Sequence, residues 1–256
     1  MANPSSIGRG FHHLAGENHA EIEAIRDAGD RTKMATAYVT LEPCSHQGRT
    51  GPCVEALISA GISRVVYACG DPNPKVSGTG HRTLCDAGID VLSGVCEMEA
   101  LELNQGFIKR MAKGQPYVRL KMAMSLDGAM AMASGESKWI TGEAARSDGQ
   151  RLRALSCGVM TGIGTVLADD PLLNVREKML QMRGREVTRI ILDTQLRCPS
   201  SARLFTVGGK VLIFCGKSFE LKRRKKLAGL AEIESVEEVS GAMDLELVLD
   251  RCASHG

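Results

Sequence analysis

Apolar and polar positions along this chain alternate between two rhythms. Short apolar runs of strand length are interleaved with stretches whose apolar residues recur every three or four positions. The runs over residues 36–41, 64–68, 117–124, 157–161, 187–192 and 210–215 read as strands. Residues 19–28, 53–60, 97–113, 142–154, 218–227 and 245–252 read as helices. Gly29 and Gly61 stand where the first two helices should stop. Strand and helix signals taken in turn predict an α/β fold. In 97–113 the apolar residues Met98, Leu101, Phe107, Ile108 and Met111 hold helical spacing. Lys113-Gly114-Gln115-Pro116 then supplies a C-cap glycine with proline soon after. That is the clearest boundary in the chain and predicts two domains, 1–114 and 115–256. Asp71-Pro-Asn-Pro74 reads as a turn.

Composition narrows the class. Hydrophobic residues make up 43% and charged residues 24% of 256 residues, the proportions of an ordinary globular protein. A net charge of +2 gives no global attraction to nucleic acid. Lys222-Arg-Arg-Lys-Lys226 is a local basic run, but it falls on a short helix as a solvated face, and 4% aromatics are too few for base-stacking platforms. No apolar run has the length of a bilayer span, and Met1 to Gly10 lacks the apolar core of a secretory signal. Nine cysteines form an odd set without the tight spacing of a disulfide scaffold, so a reducing, cytoplasmic compartment is expected. Cys69, Cys157 and Cys215 sit in strand-like runs, where a free thiol packs as a small hydrophobe.

The candidate chemistry starts at His19-Ala20-Glu21, followed by Pro43-Cys44 and then Cys53. Zinc takes nitrogen and sulfur ligands, and a catalytic site leaves one position for water. His19 would ligate as neutral imidazole, and Cys44 and Cys53 as thiolates that cancel the metal's charge. Zinc lowers the pKa of water far enough to supply hydroxide at neutral pH. Glu21, two residues after the His and not itself a ligand, is the general acid and base of the zinc deaminase pattern. Eight residues separate the two cysteines, more than the Pro-Cys-x-x-Cys of that pattern.

The intervening loop, Leu41-Glu-Pro-Cys-Ser-His-Gln-Gly-Arg-Thr-Gly-Pro-Cys53, resembles that of the bifunctional riboflavin-biosynthesis deaminase-reductase family, which carries the longer spacing as its own form of the motif. The resemblance continues through Asp71-Pro-Asn-Pro74, Leu103-Asn104-Gln-Gly-Phe107, Lys121-Met-Ala-Met-Ser125-Leu-Asp-Gly128, Ser134-Gly-Glu-Ser-Lys-Trp-Ile-Thr141 and Thr165-Val-Leu-Ala-Asp169-Asp-Pro171. It implies a cytidine-deaminase-like three-layer domain followed by a dihydrofolate-reductase-like α/β domain. The implied substrate is a free pyrimidine nucleotide, 2,5-diamino-6-(5-phosphoribosylamino)pyrimidin-4-one. Its amino group would be hydrolysed off, and its ribosyl group then reduced to a ribityl chain with NADPH. His46, Arg49 and Thr50 become candidate substrate contacts, with arginine suited to phosphate; His46 serves equally as a loop staple.

In the second half, Gly162-Ile-Gly164 follows an apolar strand, but Leu167 stands where a Rossmann fingerprint needs its third glycine. The resemblance assigns Ala123, Trp139, Thr165, Asp169 and Thr194 to the nicotinamide cofactor. It assigns Ser137, Arg153, Leu173 and Arg176 to the substrate. Lys121 and Asp169 are candidates for polarising or protonating the sugar, and a buried carboxylate with a raised pKa would suit that work. Lys121 also fits a solvated face shared with Tyr117 and Arg119, and Trp139 fits core packing. A homo-oligomer through the reductase half is implied, with no nucleic acid or membrane partner.

Measured against that family, the chain is expected to be short at both ends. Ala2-Asn3-Pro4 echoes an early Asn-Pro segment, and Gly8-Arg-Gly-Phe-His12 resembles the end of the family's second strand, with the strand between them absent. A non-catalytic remnant with a structural zinc, or a deaminase of another base with an unrelated second domain, are the alternatives.

Overall fold

The computed structural model describes residues 5–48, 50–73 and 76–255. It divides into two units, Met1–Tyr117 and Val118–Gly256.

The first unit runs α1 (Ala20–Ala28), β1 (Thr36–Leu41), α2 (Cys53–Ser59), β2 (Arg64–Cys69), α3 (Thr79–Asp86), β3 (Asp90–Ser93), α4 (Glu97–Leu103) and α5 (Gln105–Lys113). The strands form a parallel sheet in the order β1-β2-β3, with Ala37 beside Val65 and Val65 beside Val91. Parallel sheets need both faces covered. Val54 and Leu57 of α2 and Leu84 of α3 pack with Val65 and Ile62 in one core, joined by Ile25 of α1. A smaller cluster sets Ala100 of α4 on Ala68 and Cys69. Helices, sheet and helices thus form layers, with β2 buried along all but its first residue.

The second unit contains α6 (Glu143–Ala154), β4 (Gly158–Gly162), α7 (Ile163–Asp169), β5 (Thr188–Leu192), β6 (Val211–Cys215), α8 (Leu221–Leu227), β7 (Glu232–Ser235), the hairpin strands β8 (Glu238–Val239) and β9 (Ala242–Met243), and α9 (Leu245–His255). β4-β5-β6-β7 form a four-stranded parallel sheet. Alternate residues of β6 feed opposite cores. Val211, Ile213 and Cys215 pack with Ile163 and Val166 of α7 and Leu227 of α8, while Leu212 and Phe214 meet Val248 of α9. Among the described residues no helix is long and apolar enough to cross a membrane.

Four expectations are corrected. Residues 115–125 form no strand. A strand exists only where a neighbour takes up its backbone groups, and no described strand pairs with this segment, whose alternating apolar residues Val118, Leu120 and Met122 are exposed. The single helix expected over 97–113 is two helices that meet at Asn104, whose backbone leaves the helical region at φ −110° and ψ 20°. Asparagine competes with helical hydrogen bonding and favours helix ends. Cys157 lies exposed just before β4, whereas Cys69 and Cys215 are buried as expected. The segment around Gly8 and Gly10 is not a strand but lies against α1, where a Cβ on Gly10 would stand 2.2 Å from the Ala20 carbonyl. Ala2, Asn3, Pro4 and Pro74 are outside the described residues.

Candidate functional site

Three metal-ligating side chains converge in the first unit. His19 caps the start of α1, Cys44 lies in the loop after β1, and Cys53 opens α2. His19 Nδ1 is 3.2 Å from Cys53 Sγ and 3.4 Å from Cys44 Sγ. The Cys53 backbone N–H donates to Cys44 Sγ at 3.3 Å, and the Val54 N–H donates to the Cys44 carbonyl at 3.2 Å. One donor atom from each of the three residues lies within 4.8 Å of the others. One imidazole nitrogen and two sulfurs so placed fit zinc, with room for one further ligand.

The charges around this cluster are interdependent. The Cys44 thiol is pulled down to about 5, first by a hydrogen bond from the Cys53 side chain, with the Cys53 backbone N–H and His19 adding to it against the cost of burial. The Cys53 thiol is pushed up, first because it gives that hydrogen bond, then by burial and by the nearby Glu21. Metal binding at this pair requires both thiols as thiolates and so releases protons. Burial raises the Glu21 carboxyl; the Cys44 charge adds to the rise, while backbone hydrogen bonding, His19 and Cys53 oppose it. Glu21 therefore stands among the three donors without being one of them.

A cavity of about 240 Å3 opens beside the cluster, lined by His12, Glu17, His19, Cys44, His46 and Thr50 among others. The half-buried His46 keeps its Nδ1 without a hydrogen-bond partner. Thr50 is half-buried on the same wall, and Arg49 falls outside the described residues. His12 escaped the sequence reading as a site residue. Its Nδ1 pairs with the Asn18 carbonyl at 3.0 Å, and its ring stands edge-on to His19 at 5.4 Å between centroids. The glycines at 8 and 10 that press this segment onto α1 were the available signal. Another acid and histidine cluster, Glu232, Glu234 and His255, is an ion-pair network: Lys210 Nζ lies 2.6 Å from Glu232, and His255 pairs with Glu234.

In the second unit, the half-buried Arg153 of α6 donates to the Asn174 carbonyl at 3.3 Å. Burial lowers its pKa, and the charge of Arg176 lowers it further, so the two guanidiniums are neighbours. Gln150 Oε1 accepts the Arg176 backbone N–H at 2.9 Å and fixes that loop to α6. Leu173, at φ 52°, is buried at its base. Neither arginine forms an ion pair among the described residues, which leaves a cationic pair suited to an anion. Ser137 is half-buried.

Thr165 and Asp169 are exposed on α7, and Thr194 follows β5. Thr165, in the first turn of α7, and Thr194 lie just past the carboxyl ends of the adjacent parallel strands β4 and β5, the edge where α/β sheets take ligands, whereas Asp169 stands at the far end of α7. A Cβ on Gly162 or Gly164 would meet nothing within 4 Å, so the turn from β4 into α7 leaves room for a cofactor to approach the backbone. Ala123 is half-buried and Lys121 exposed. No hydrogen bond or ion pair joins Lys121 to Asp169 among the described residues, and Asp169 is exposed rather than the buried acid the chemistry would favour. Trp139 is not a core residue: it is 71% exposed, with the Arg146 guanidinium 4.6 Å over its ring.

Fold and site together define a deaminase-type zinc-binding unit joined to a second α/β unit. Residues 2–69 match the family model described as the cytidine and deoxycytidylate deaminase zinc-binding region, and residues 116–256 match the RibD C-terminal domain. The chain is 52% identical over 213 residues to the riboflavin biosynthesis protein RibD of Escherichia coli, covering 80% of this chain and 58% of that protein. It is 47% identical over 230 residues to RibD of Haemophilus influenzae, covering 86% and 62%. The solved structure of Acinetobacter baumannii RibD superposes with a TM-score of 0.85 at 48% identity, over 97% of this chain and 67% of that one. A diaminohydroxyphosphoribosylaminopyrimidine deaminase/5-amino-6-(5-phosphoribosylamino)uracil reductase from Thermotoga maritima gives 0.81 at 34% identity, over 97% and 68%. The chain belongs to the RibD family. It spans less than two thirds of the length of the two curated relatives above. The second unit is thus related to the same family, against the alternative of an unrelated second domain.

Proposed function

We propose that this chain carries out two successive steps of riboflavin biosynthesis. The first is hydrolytic deamination of 2,5-diamino-6-(5-phosphoribosylamino)pyrimidin-4-one by residues 1–114. The second is NADPH-dependent reduction of the ribosyl group to a ribityl chain by residues 115–256. The convergence of His19 Nδ1, Cys44 Sγ and Cys53 Sγ within 4.8 Å, with Glu21 beside them, carries the reading.

His19, Cys44 and Cys53 would hold zinc, which activates water for attack on an amino-bearing ring carbon when bound. The Glu21 carboxyl takes the proton of that water and hands it to the departing amino nitrogen. Burial favours this, because it brings the carboxyl toward the range in which it both accepts and releases a proton. His12, His46 and Thr50 line the cavity that receives the pyrimidine, and Arg49 is a further candidate contact for the same substrate. The reaction releases ammonia and leaves a carbonyl on the ring.

In the second unit Arg153 and Arg176 hold the phosphate, with Ser137 and Leu173 flanking the sugar. Ala123, Trp139, Thr165, Asp169 and Thr194 contact NADPH, which supplies a hydride to the ribose carbon when bound. Lys121 or Asp169 supplies the proton that opens the sugar. The enzyme acts in the cytoplasm as a homo-oligomer formed through this unit, on a free nucleotide and not on nucleic acid or at a membrane.

The test is conversion of the diaminopyrimidinone nucleotide to the ribitylamino uracil phosphate, followed by mass spectrometry. The reading expects product only with both zinc and NADPH present, and a deaminated intermediate when NADPH is omitted. Intact substrate under all conditions overturns it.

A further inference from the structure

The segment that carries Cys44 is gripped from one side by the start of α3. Glu42 is a buried carboxylate, 3% exposed. Its Oε1 accepts the His81 backbone N–H at 3.1 Å. Its Oε2 accepts the backbone N–H groups of Gly78 at 3.0 Å and Asp71 at 3.4 Å. An isolated buried carboxylate is costly, and several N–H donors converging on one carboxylate offset the cost with charge-assisted hydrogen bonds. Pro43 is held next: a Cβ on Gly80 would stand 2.1 Å from the Pro43 carbonyl oxygen, so only glycine allows α3 to sit this close. Beyond Cys44, Ser45 Oγ lies 2.6 Å from Thr79 Oγ1. The α3 side of the grip is itself anchored to the sheet, because His81 Nδ1 pairs with Tyr67 Oη at 2.9 Å. Residues 42, 43 and 45 are therefore all fixed by Asp71 and residues 78–81, and Cys44 is the residue between them.

We infer that Glu42 is a positioning residue for the metal centre, holding the Cys44 sulfur in register with His19 and Cys53 by clamping its segment to the start of α3. The inference rests on the metal-site part of the proposed function. Partners behind a metal ligand that fix its orientation are typically worth about 10- to 100-fold in metal affinity. Glutamine at 42 keeps the shape but replaces one carboxylate oxygen with an NH2 donor, so a backbone N–H that Glu42 accepts loses its acceptor.

The test uses the full chain with cobalt(II) as the probe, read by competition affinity and by the sulfur-to-cobalt charge-transfer absorption, with thermal unfolding measured in parallel. Glu42→Gln is expected to bind cobalt about 10- to 100-fold more weakly with an altered charge-transfer band, and Glu42→Asp to restore part of both. A folded Glu42→Gln with wild-type affinity and spectrum overturns the inference alone, even if its unfolding temperature falls. If Glu42→Gln does not fold, Gly80→Ala reads the same coupling from α3: an altered band supports the clamp, and a wild-type band overturns it. A wild-type chain that takes up no cobalt overturns the metal site and the clamp with it.

Discussion

His19 Nδ1 lies 3.2 Å from the sulfur of Cys53, although 34 positions separate the two residues. That closeness makes the thiols report the metal. In zinc-loaded native protein at about pH 8, an alkylating reagent should modify the exposed Cys85, Cys96 and Cys157 and spare the buried Cys69, Cys198 and Cys215. Cys198 resists for a second reason, since burial pushes its thiol to about 12. Chelation should add Cys44 to the modified set, read by peptide mass spectrometry. A pattern indifferent to chelation contradicts a metal at this site.

The elements that sequence resolved are those whose signal is local. β1, β5 and β6 are apolar runs, α1 ends at Gly29, and the ligand set His19, Cys44 and Cys53 is legible because metal chemistry restricts residue types. α3 escaped notice because Gly80 falls in its first turn, just after the N-cap Gly78, and Leu84 is its one large buried apolar residue. β7 escaped because this edge strand, Glu232-Ile-Glu-Ser235, has a single apolar residue. The strand misread at 117–124 has the right alternation, but pairing is a tertiary property that no alternation encodes. The proximity of Arg153 to Arg176 joins a helix to a loop and left no periodic trace.

That arginine pair should decide phosphate affinity in the second unit. Arg153→Ala is expected to raise KM for the reductase substrate about 10- to 100-fold, the worth of a charge-assisted hydrogen bond, with deamination unchanged. Arg153→Lys should recover only part, because an ammonium lacks the planar fork. Equal KM values for all three proteins contradict the assignment.

Trp139, the single tryptophan, should report cofactor directly. Its exposed ring is open to acrylamide quenching, and NADPH should shield it and shift its emission to the blue. Titration with NADPH that leaves both signals unchanged removes Trp139 from the cofactor site.

Arg189, missed in the sequence because it interrupts an apolar strand, is 1% exposed. Its guanidinium donates to the carbonyls of Leu204 at 2.7 Å, Val207 at 3.1 Å and Gly208 at 2.7 Å, and also to Gly209. Arg189→Met should cost about 3 kcal/mol of stability, since several buried carbonyls lose their donor together. Urea unfolding measures it, and a loss below about 1 kcal/mol would show that water replaces the guanidinium.

The central claim is that the first unit is a working zinc deaminase. Ammonia release from the diaminopyrimidinone nucleotide, measured on protein of known zinc content beside Glu21→Gln, tests it most directly. The account predicts turnover that needs zinc and falls about 100- to 10,000-fold in the variant while its zinc content stays the same. Zinc-replete wild-type protein that releases no ammonia, or a variant as fast as wild type, contradicts it.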